Sequence, residues 1–234
     1  MVAARFILAI STSSGVAKVA AAAEPLDSGA AAQTLFNYEI VDYKSQSAQL
    51  LPKLEQHLQA AGLQATQCAA IAADIGPGGF TSLRTACGIA QGLAVAWQVP
   101  VVTLTSFECM LPQLEQAEPL AILIDARLNE IYAAKIQRSA QGTQWVEPPY
   151  LLAMNALPSV QGPAVCDAHL FAMLAAPAPG IQQGEVAAVQ LACLAWQEFN
   201  AGRVVTPFDC QPLYVRDKVA QTTSERLALK HGAV

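Results

Sequence analysis

Ala69-Ala70-Ile71-Ala72-Ala73-Asp74-Ile75, then Gly76-Pro77-Gly78-Gly79, then Phe80-Thr81-Ser82-Leu83-Arg84 and onward to Gln98 follow one another without a gap. The first piece is an apolar run broken only by one carboxylate and predicts a buried strand. The second is a forced turn, and the third opens a helix over residues 80–98. Gly76, Gly78 and Gly79 are free to take positive φ, Pro77 fixes its own φ, and Thr81 or Ser82 offers a hydroxyl to cap the helix. Such a turn gathers bare N–H groups at a helix start, where an anion is stabilised, or it is a tight corner with no ligand. No Gly-Lys-Ser/Thr follows and the glycine spacing does not complete a dinucleotide fingerprint, so neither phosphate-binding template is met.

The helix carries two lines of residues. Leu83, Ala86, Cys87, Ala90, Leu93, Ala94 and Trp97 fall on one face and suffice to cover a sheet. Thr85, Gly88, Gly92 and Ala96 form a second line of small residues nearly opposite. Glycine inside a helix costs about 1 kcal/mol against alanine, so two of them call for a reason. A helix apolar all round is covered all round, which predicts a sheet on one side and a closely packed helix, from this chain or a partner, on the other.

The 234 residues suffice for one large domain or two small ones. With 53% hydrophobic and only 13% charged residues, much of the surface is neutral or apolar, a composition suited to meeting another protein. A formal net charge of −5 gives the chain no overall attraction for nucleic acid, so any RNA role is expected to run through a partner. The opening apolar run has no cleavage-site signature and no apolar segment reaches membrane-spanning length, so a cytosolic protein is expected. Cys68, Cys87, Cys109, Cys166, Cys193 and Cys210 include no Cys-x-x-Cys pair and read as buried reduced thiols.

Outward from the central unit, residues 5–11 and 16–22 read as a hairpin, 23–33 as a flexible excursion and 34–41 as a third strand. A helix is expected over 45–61, with Leu50, Leu54, His57, Leu58 and Ala61 as its apolar stripe, Pro52 near its first turns and Gly62 ending it. A short strand over 101–104 and a helix over 106–116 follow. Residues 119–125 and 130–137 then form a second hairpin around Ala126-Arg127-Leu128-Asn129. Ile7-Leu8-Ala9-Ile10-Ser11 and Ala121-Ile122-Leu123-Ile124-Asp125 each open a strand, turn and strand, which suggests a duplicated α/β architecture. Residues 167–175 and 185–200 are expected helices, 212–216 an extended segment and 217–234 a polar tail.

Three stretches resemble the TsaB family, also called YeaZ, of threonylcarbamoyladenosine biosynthesis. They are Gly76-Pro77-Gly78-Gly79-Phe80-Thr81-Ser82-Leu83-Arg84 continued by Gly88-Ile89-Ala90-Gln91-Gly92-Leu93, Ile124-Asp125-Ala126-Arg127-Leu128-Asn129-Glu130-Ile131-Tyr132, and Pro212-Leu213-Tyr214-Val215-Arg216. The motif residues carried over are Gly76, Pro77, Gly78, Phe80, Thr81, Arg84, Asp125, Arg127, Glu130 and Tyr132. The resemblance implies the two-lobed α/β fold of actin, sugar kinases and the Hsp70 ATPase. Residues 1–105 would form the first lobe, 106–216 the second, with the 185–200 helix able to pack back on the first, and 217–234 the tail. It also implies a non-catalytic partner of TsaD, whose active site joins a threonylcarbamoyl group to adenosine 37 of tRNA. TsaE and tRNA would be met only through that complex, and a homodimer through the same helices is compatible with it. Partner contact would run through the 45–61 and 80–98 helices, at Leu50, Leu54, Leu58, Thr85, Gly88, Ile89 and Gly92.

The chain departs from the family pattern at Ser11, where a metal-binding carboxylate stands in active relatives of the fold, at Gln46 in place of a histidine, and at Gly79 and Ser82 in the turn. A hydroxyl binds magnesium poorly beside a carboxylate. No cofactor and no metal are therefore expected. His57, His169 and His231 lie on separate elements without His-Glu-x-x-His spacing, and no Gly-x-Ser-x-Gly elbow occurs. Asp125, Arg127, Glu130 and Tyr132 read either as an acid-base site at a hairpin mouth or as a charge-paired turn. The rival to a scaffold is an ATP-dependent phosphotransferase or ATPase using the cleft between the lobes.

Overall fold

The computed structural model describes residues 5–26, 32–42, 44–111, 118–139, 142–174 and 180–216. β1 (Phe6–Ser11) and β2 (Ala17–Ala23) pair antiparallel, and β3 (Thr34–Ile40) joins β2. After α1 (Gln46–Ala60), β4 (Cys68–Asp74) pairs parallel to β1, and after α2 (Phe80–Trp97), β5 (Val101–Leu104) pairs parallel to β4. The first sheet therefore has the order β3-β2-β1-β4-β5.

The second half contains α3 (Ser106–Met110), β6 (Leu120–Arg127), β7 (Glu130–Ser139), β8 (Gly142–Ala153), β9 (Ala164–Cys166), α4 (Ala168–Met173), β10 (Ile181–Gln183) and α5 (Ala188–Asn200). Its sheet reads β8-β7-β6-β9-β10 from one edge, with the same antiparallel, antiparallel, parallel, parallel sequence of pairings as the first. The duplication suggested by two similar hairpins thus extends through the whole strand order. The connections differ: a 3-10 stretch (Met154–Ser159) occupies the place of α1, and the 6 residues of α4 stand where α2 has 18.

β1, β2 and β4 are buried at every residue, as strands covered on both faces must be. Alternate side chains divide between two cores. Phe6, Leu8, Ile10 and Ile71 meet α1 and α2 on one face, while Ile7, Ala9 and Ala72 meet Leu191 and Trp196 of α5 on the other. The indole N–H of Trp196 donates to the Ala22 carbonyl at 3.0 Å, which docks α5 onto the first sheet.

One expectation needs correction here. Leu50 and Leu54 are not part of an outward stripe: they are 0% and 2% exposed, enclosed with Phe6, Leu8 and Ile10, and Leu58 packs against the same cluster. The apolar spacing was right, but the sheet of the same lobe is what covers it. Leu54→Ala is accordingly expected to lower unfolding free energy by about 3 kcal/mol in a urea titration. Prolines also fall within a long strand of the second sheet, β8. β8 is an edge strand, and Pro148 and Pro149 are tolerated because an edge leaves N–H positions unpaired.

The helices expected over 106–116 and 167–175 are shorter: α3 and α4 end at Met110 and Met173, with Leu111 and Leu174 already extended, and residues 112–116 and 175 lie outside the described ones. The tail 217–234 and part of the 23–33 excursion also lie outside them.

Candidate interlobe site and partner face

The end of β4 is fixed by one buried carboxylate. Asp74, fully enclosed, accepts from the Gly76 N–H (2.9 Å) and the Ser106 hydroxyl (2.8 Å) at Oδ1 and from the Ser11 hydroxyl (2.7 Å) at Oδ2. These bonds tie together β1, β4, the glycine turn and α3. Burial pushes the Asp74 carboxyl above the usual range, with the serine and backbone donors opposing it. A carboxyl raised on folding adds stability that is complete below its unfolded value, near 4, and is lost as pH rises through the folded one. The stability of the wild-type chain relative to Asp74→Asn is therefore expected to fall as pH rises above about 4 in paired urea titrations. Asp74→Ala, which strands three donors, is expected to cost about 3 kcal/mol.

The turn has less freedom than its composition implies. Only Gly76 among its glycines takes positive φ, at 102°, and Gly79 serves as N-cap of α2 at φ −61° without any side-chain cap from Thr81 or Ser82. Gly78 is required for closeness: a Cβ there would lie 2.6 Å from the Ser13 carbonyl oxygen. The Gly79 N–H donates to that same carbonyl at 3.3 Å. Gly76 and Gly79 thus spend their N–H groups inside the protein and Pro77 has none, so the turn is not an open row of donors for an anion.

The three motif stretches meet in space. Arg84 lies over the Phe80 ring at 3.8 Å and donates to the Tyr214 hydroxyl at 2.9 Å, with the two rings 5.3 Å apart. Arg216 reaches the Ala126 carbonyl (3.0 Å) and Glu130 (2.5 Å). The segment after α5 is therefore a strap from the start of α2 to the β6–β7 hairpin. Arg84→Ala is expected to loosen it by about 1 kcal/mol, read as faster amide exchange at Leu213, whose N–H is held by Ile75 at 2.8 Å.

Between the two sheets lies a cleft of about 900 Å³, bordered by Lys18, Gly78, Asp125, Arg127, His169 and Tyr214. Asp125 Oδ1 accepts from the Arg127 N–H at 2.9 Å, and Oδ2 lies 3.2 Å from Arg127 Nη1 and 3.4 Å from His169 Nε2. Arg127, Leu128 and Asn129 turn the chain with φ of 62°, 54° and 59°, three consecutive left-handed residues without a glycine. This geometry is a charge-paired turn, with Tyr132 packed against the core beside it and its phenol pushed up by burial. Lys18, almost enclosed, bridges the lobes to Glu185 at 2.7 Å. Among the described residues no group of three or more His, Cys, Asp or Glu is arranged to hold a metal ion.

Sequence spacing gave no warning of Lys18, His169 or the pairing of Arg84 with Tyr214, because their partners lie far away along the chain. The only available signal was chemical: a lysine inside an alanine-rich strand.

On the outer side of α2, Gly88 and Gly92 are open. A Cβ built on either would meet nothing within 4 Å. Thr85 and Ile89 flank them half-buried, and Val95 is 53% exposed further along the helix. The opposite stripe, Leu83, Ala86, Cys87, Ala90 and Ala94, is buried against the sheet.

The family model described as TsaD, tRNA N6-adenosine threonylcarbamoyltransferase, matches residues 41–198, about two thirds of the chain. Two solved Pseudomonas aeruginosa structures, one titled YeaZ and one a protein with similarity to peptidase YeaZ, superpose with TM-scores of 0.72 and 0.73. Both are 25% identical, covering 90% and 91% of this chain and 99% and 100% of theirs. The chain belongs to this family, on its TsaB/YeaZ branch. The TsaB/YeaZ relatives include the Escherichia coli tRNA threonylcarbamoyladenosine biosynthesis protein TsaB, 29% identical over 76% of this chain and 83% of that protein. The Haemophilus influenzae TsaB is 37% identical, but the match spans 41% of this chain and less than half of that protein, 42%. The architecture is a two-lobed α/β fold of two five-stranded mixed sheets, shared with the YeaZ structures. Within the TsaB/YeaZ pattern the departures are absorbed internally. Ser11 bonds Asp74, Gln46 donates to the Gly15 and Ile40 carbonyls, and the Ser82 carbonyl accepts the Thr12 hydroxyl.

Proposed function

We propose that this chain is a non-catalytic scaffold subunit of threonylcarbamoyladenosine formation, binding TsaD and enabling transfer to adenosine 37 of tRNA. The observation that carries this reading is the open line Thr85, Gly88 and Gly92, with Ile89, on α2. Two glycines in mid-helix cost about 1 kcal/mol each, and within the described residues nothing packs on them to offset it. Small residues let a second helix come close enough for backbone contact. Leu50 and Leu54, spent on the core, leave α1 to contribute only residues such as Leu51, which is 48% exposed.

TsaE joins through TsaD, tRNA is met only within the complex, and a homodimer through the same α2 line competes with TsaD. The reaction takes place in the cytoplasm. No helix among the described residues is long and apolar enough to cross a membrane.

Reconstitution of the modification with purified components tests the proposal. Threonylcarbamoyladenosine is expected to fall to background without this chain, and full modification in its absence would refute a scaffold role. For the nucleotide-using alternative, calorimetric titration with ATP and magnesium is expected to show no micromolar binding to the isolated chain. The carboxylate nearest the glycine turn is sealed by Ser11 and Ser106.

A further inference from the structure

Asp125 Oδ2, Arg127 Nη1 and His169 Nε2 form a triangle, and all three residues border the cleft between the sheets. Arg127 Nη1 lies 3.2 Å from the carboxylate oxygen and 2.8 Å from the imidazole nitrogen, which is itself 3.4 Å from that oxygen. A guanidinium only donates, so Nε2 accepts from it, and the ring is neutral with its hydrogen on Nδ1. Asp125 Oδ2 is enclosed and, though ion-paired with Arg127, accepts no hydrogen bond among the described residues. A proton on His169 Nε2 would supply one.

The three side chains differ in how firmly they are held. Asp167, the N-cap of α4, accepts from the Leu170 N–H at 2.8 Å and from the Asp125 N–H at 2.5 Å, which ties the start of α4, and His169 with it, to β6. The Asp125 side chain is 7% exposed. That of Arg127 is 71% exposed, and among the described residues its hydrogen bonds and ion pairs go to Asp125 and His169 alone. β10, which also packs against α4, brings only the uncharged Gln182 and Gln183. The other charges around the cleft are engaged elsewhere, Lys18 with Glu185 and Glu39, and Arg216 with Glu130. Asp125, Arg127 and Asp167 are therefore the charged groups beside His169.

We propose that protonation of His169 transfers Asp125 from Arg127 to the imidazolium and sets the Arg127 guanidinium free at the edge of the cleft. Histidine is the side chain that gains charge between about pH 8 and pH 5. A proton on Nε2 removes the lone pair that Arg127 uses and leaves two cations 2.8 Å apart. The same proton gives Asp125 Oδ2 its missing hydrogen bond once the 3.4 Å separation closes to the ~2.8 Å of a charge-assisted contact. Arg127, long and exposed, is the cation that leaves. The turn itself stays in place, because the Arg127 N–H is bonded to the other carboxylate oxygen, Oδ1, at 2.9 Å. As pH falls, the cleft thus gains an unpaired positive group open to an anion.

The test follows the isotope-labelled full chain by NMR from about pH 8 to about pH 5. At the upper end the His169 ring is expected to carry its hydrogen on Nδ1 and to show cross-peaks to the Arg127 side chain. At the lower end Nε2 is expected to be protonated and those cross-peaks lost, with the Arg127 side-chain nitrogen signals displaced over the same interval. In the His169→Gln chain the Arg127 side-chain signals are expected to stay constant throughout. Uptake of the proton with the Arg127 cross-peaks retained, or a neutral ring that already carries its hydrogen on Nε2, would overturn the exchange on the wild-type chain alone. An equal displacement of Arg127 in His169→Gln would show that another group drives it.

Discussion

Gly88→Leu is expected to leave the isolated chain folded, with an unchanged or slightly raised Tm, while weakening its binding to TsaD about ten- to a hundredfold. Folding is spared because a side chain at this position points into open space, and leucine is a better helix former than glycine by nearly 1 kcal/mol. Binding suffers because the four carbons of the leucine side chain occupy the gap through which a neighbouring helix would approach. Overpacking of that kind costs about 1 to 3 kcal/mol, and each 1.4 kcal/mol is about a factor of ten. Thermal melting of the variant and calorimetric titration against TsaD read the two halves separately. Unchanged affinity with an intact fold would remove α2 from the interface. Gly92→Leu is expected to behave alike.

Leu54→Asp is expected to do the opposite and abolish folding altogether. The side chain is 2% exposed in the core beneath the first sheet. Replacing it loses about 2 to 5 kcal/mol of packing and adds the cost of an enclosed carboxyl with no partner. That sum is comparable with the whole stability of a domain, about 5 to 15 kcal/mol. Circular dichroism at 25 °C should show lost structure, whereas Leu51→Asp, on the solvent side of the same helix at 48% exposure, should melt close to wild type. If Leu54→Asp folded and only binding failed, the stripe on α1 would be an interface after all.

The contrast between the two variants marks what the residues alone could disclose. Period and length placed the hairpins, β4, β5, both long first-lobe helices and α5 nearly to the residue, because an apolar run bounded by glycine and proline admits few readings. The same periodicity says nothing about what lies against a stripe. Leu50 and Leu54 and the line through Gly88 both look like surfaces in need of cover, and only the folded chain shows that the first is covered from within. The bounds of β8 were blurred by Pro148 and Pro149, which an edge strand tolerates. The polar site was legible as motifs but not as contacts: Asp125 with His169, Arg84 with Tyr214 and Lys18 with Glu185 join residues that no local pattern relates.

The two sheets share one strand order, yet their connecting helices have fared unequally. Where the first repeat carries α-helices of 15 and 18 residues, the second has a 3-10 stretch of 6 and a helix of 6. Among the described residues, an open small-residue line on a long helix occurs in the first repeat alone. Units with one such face associate two at a time and stop, since open-ended growth demands a second, complementary surface on every unit. Under the proposed docking through α2, each chain takes one partner, or one copy of itself, at that face and builds no filament through it.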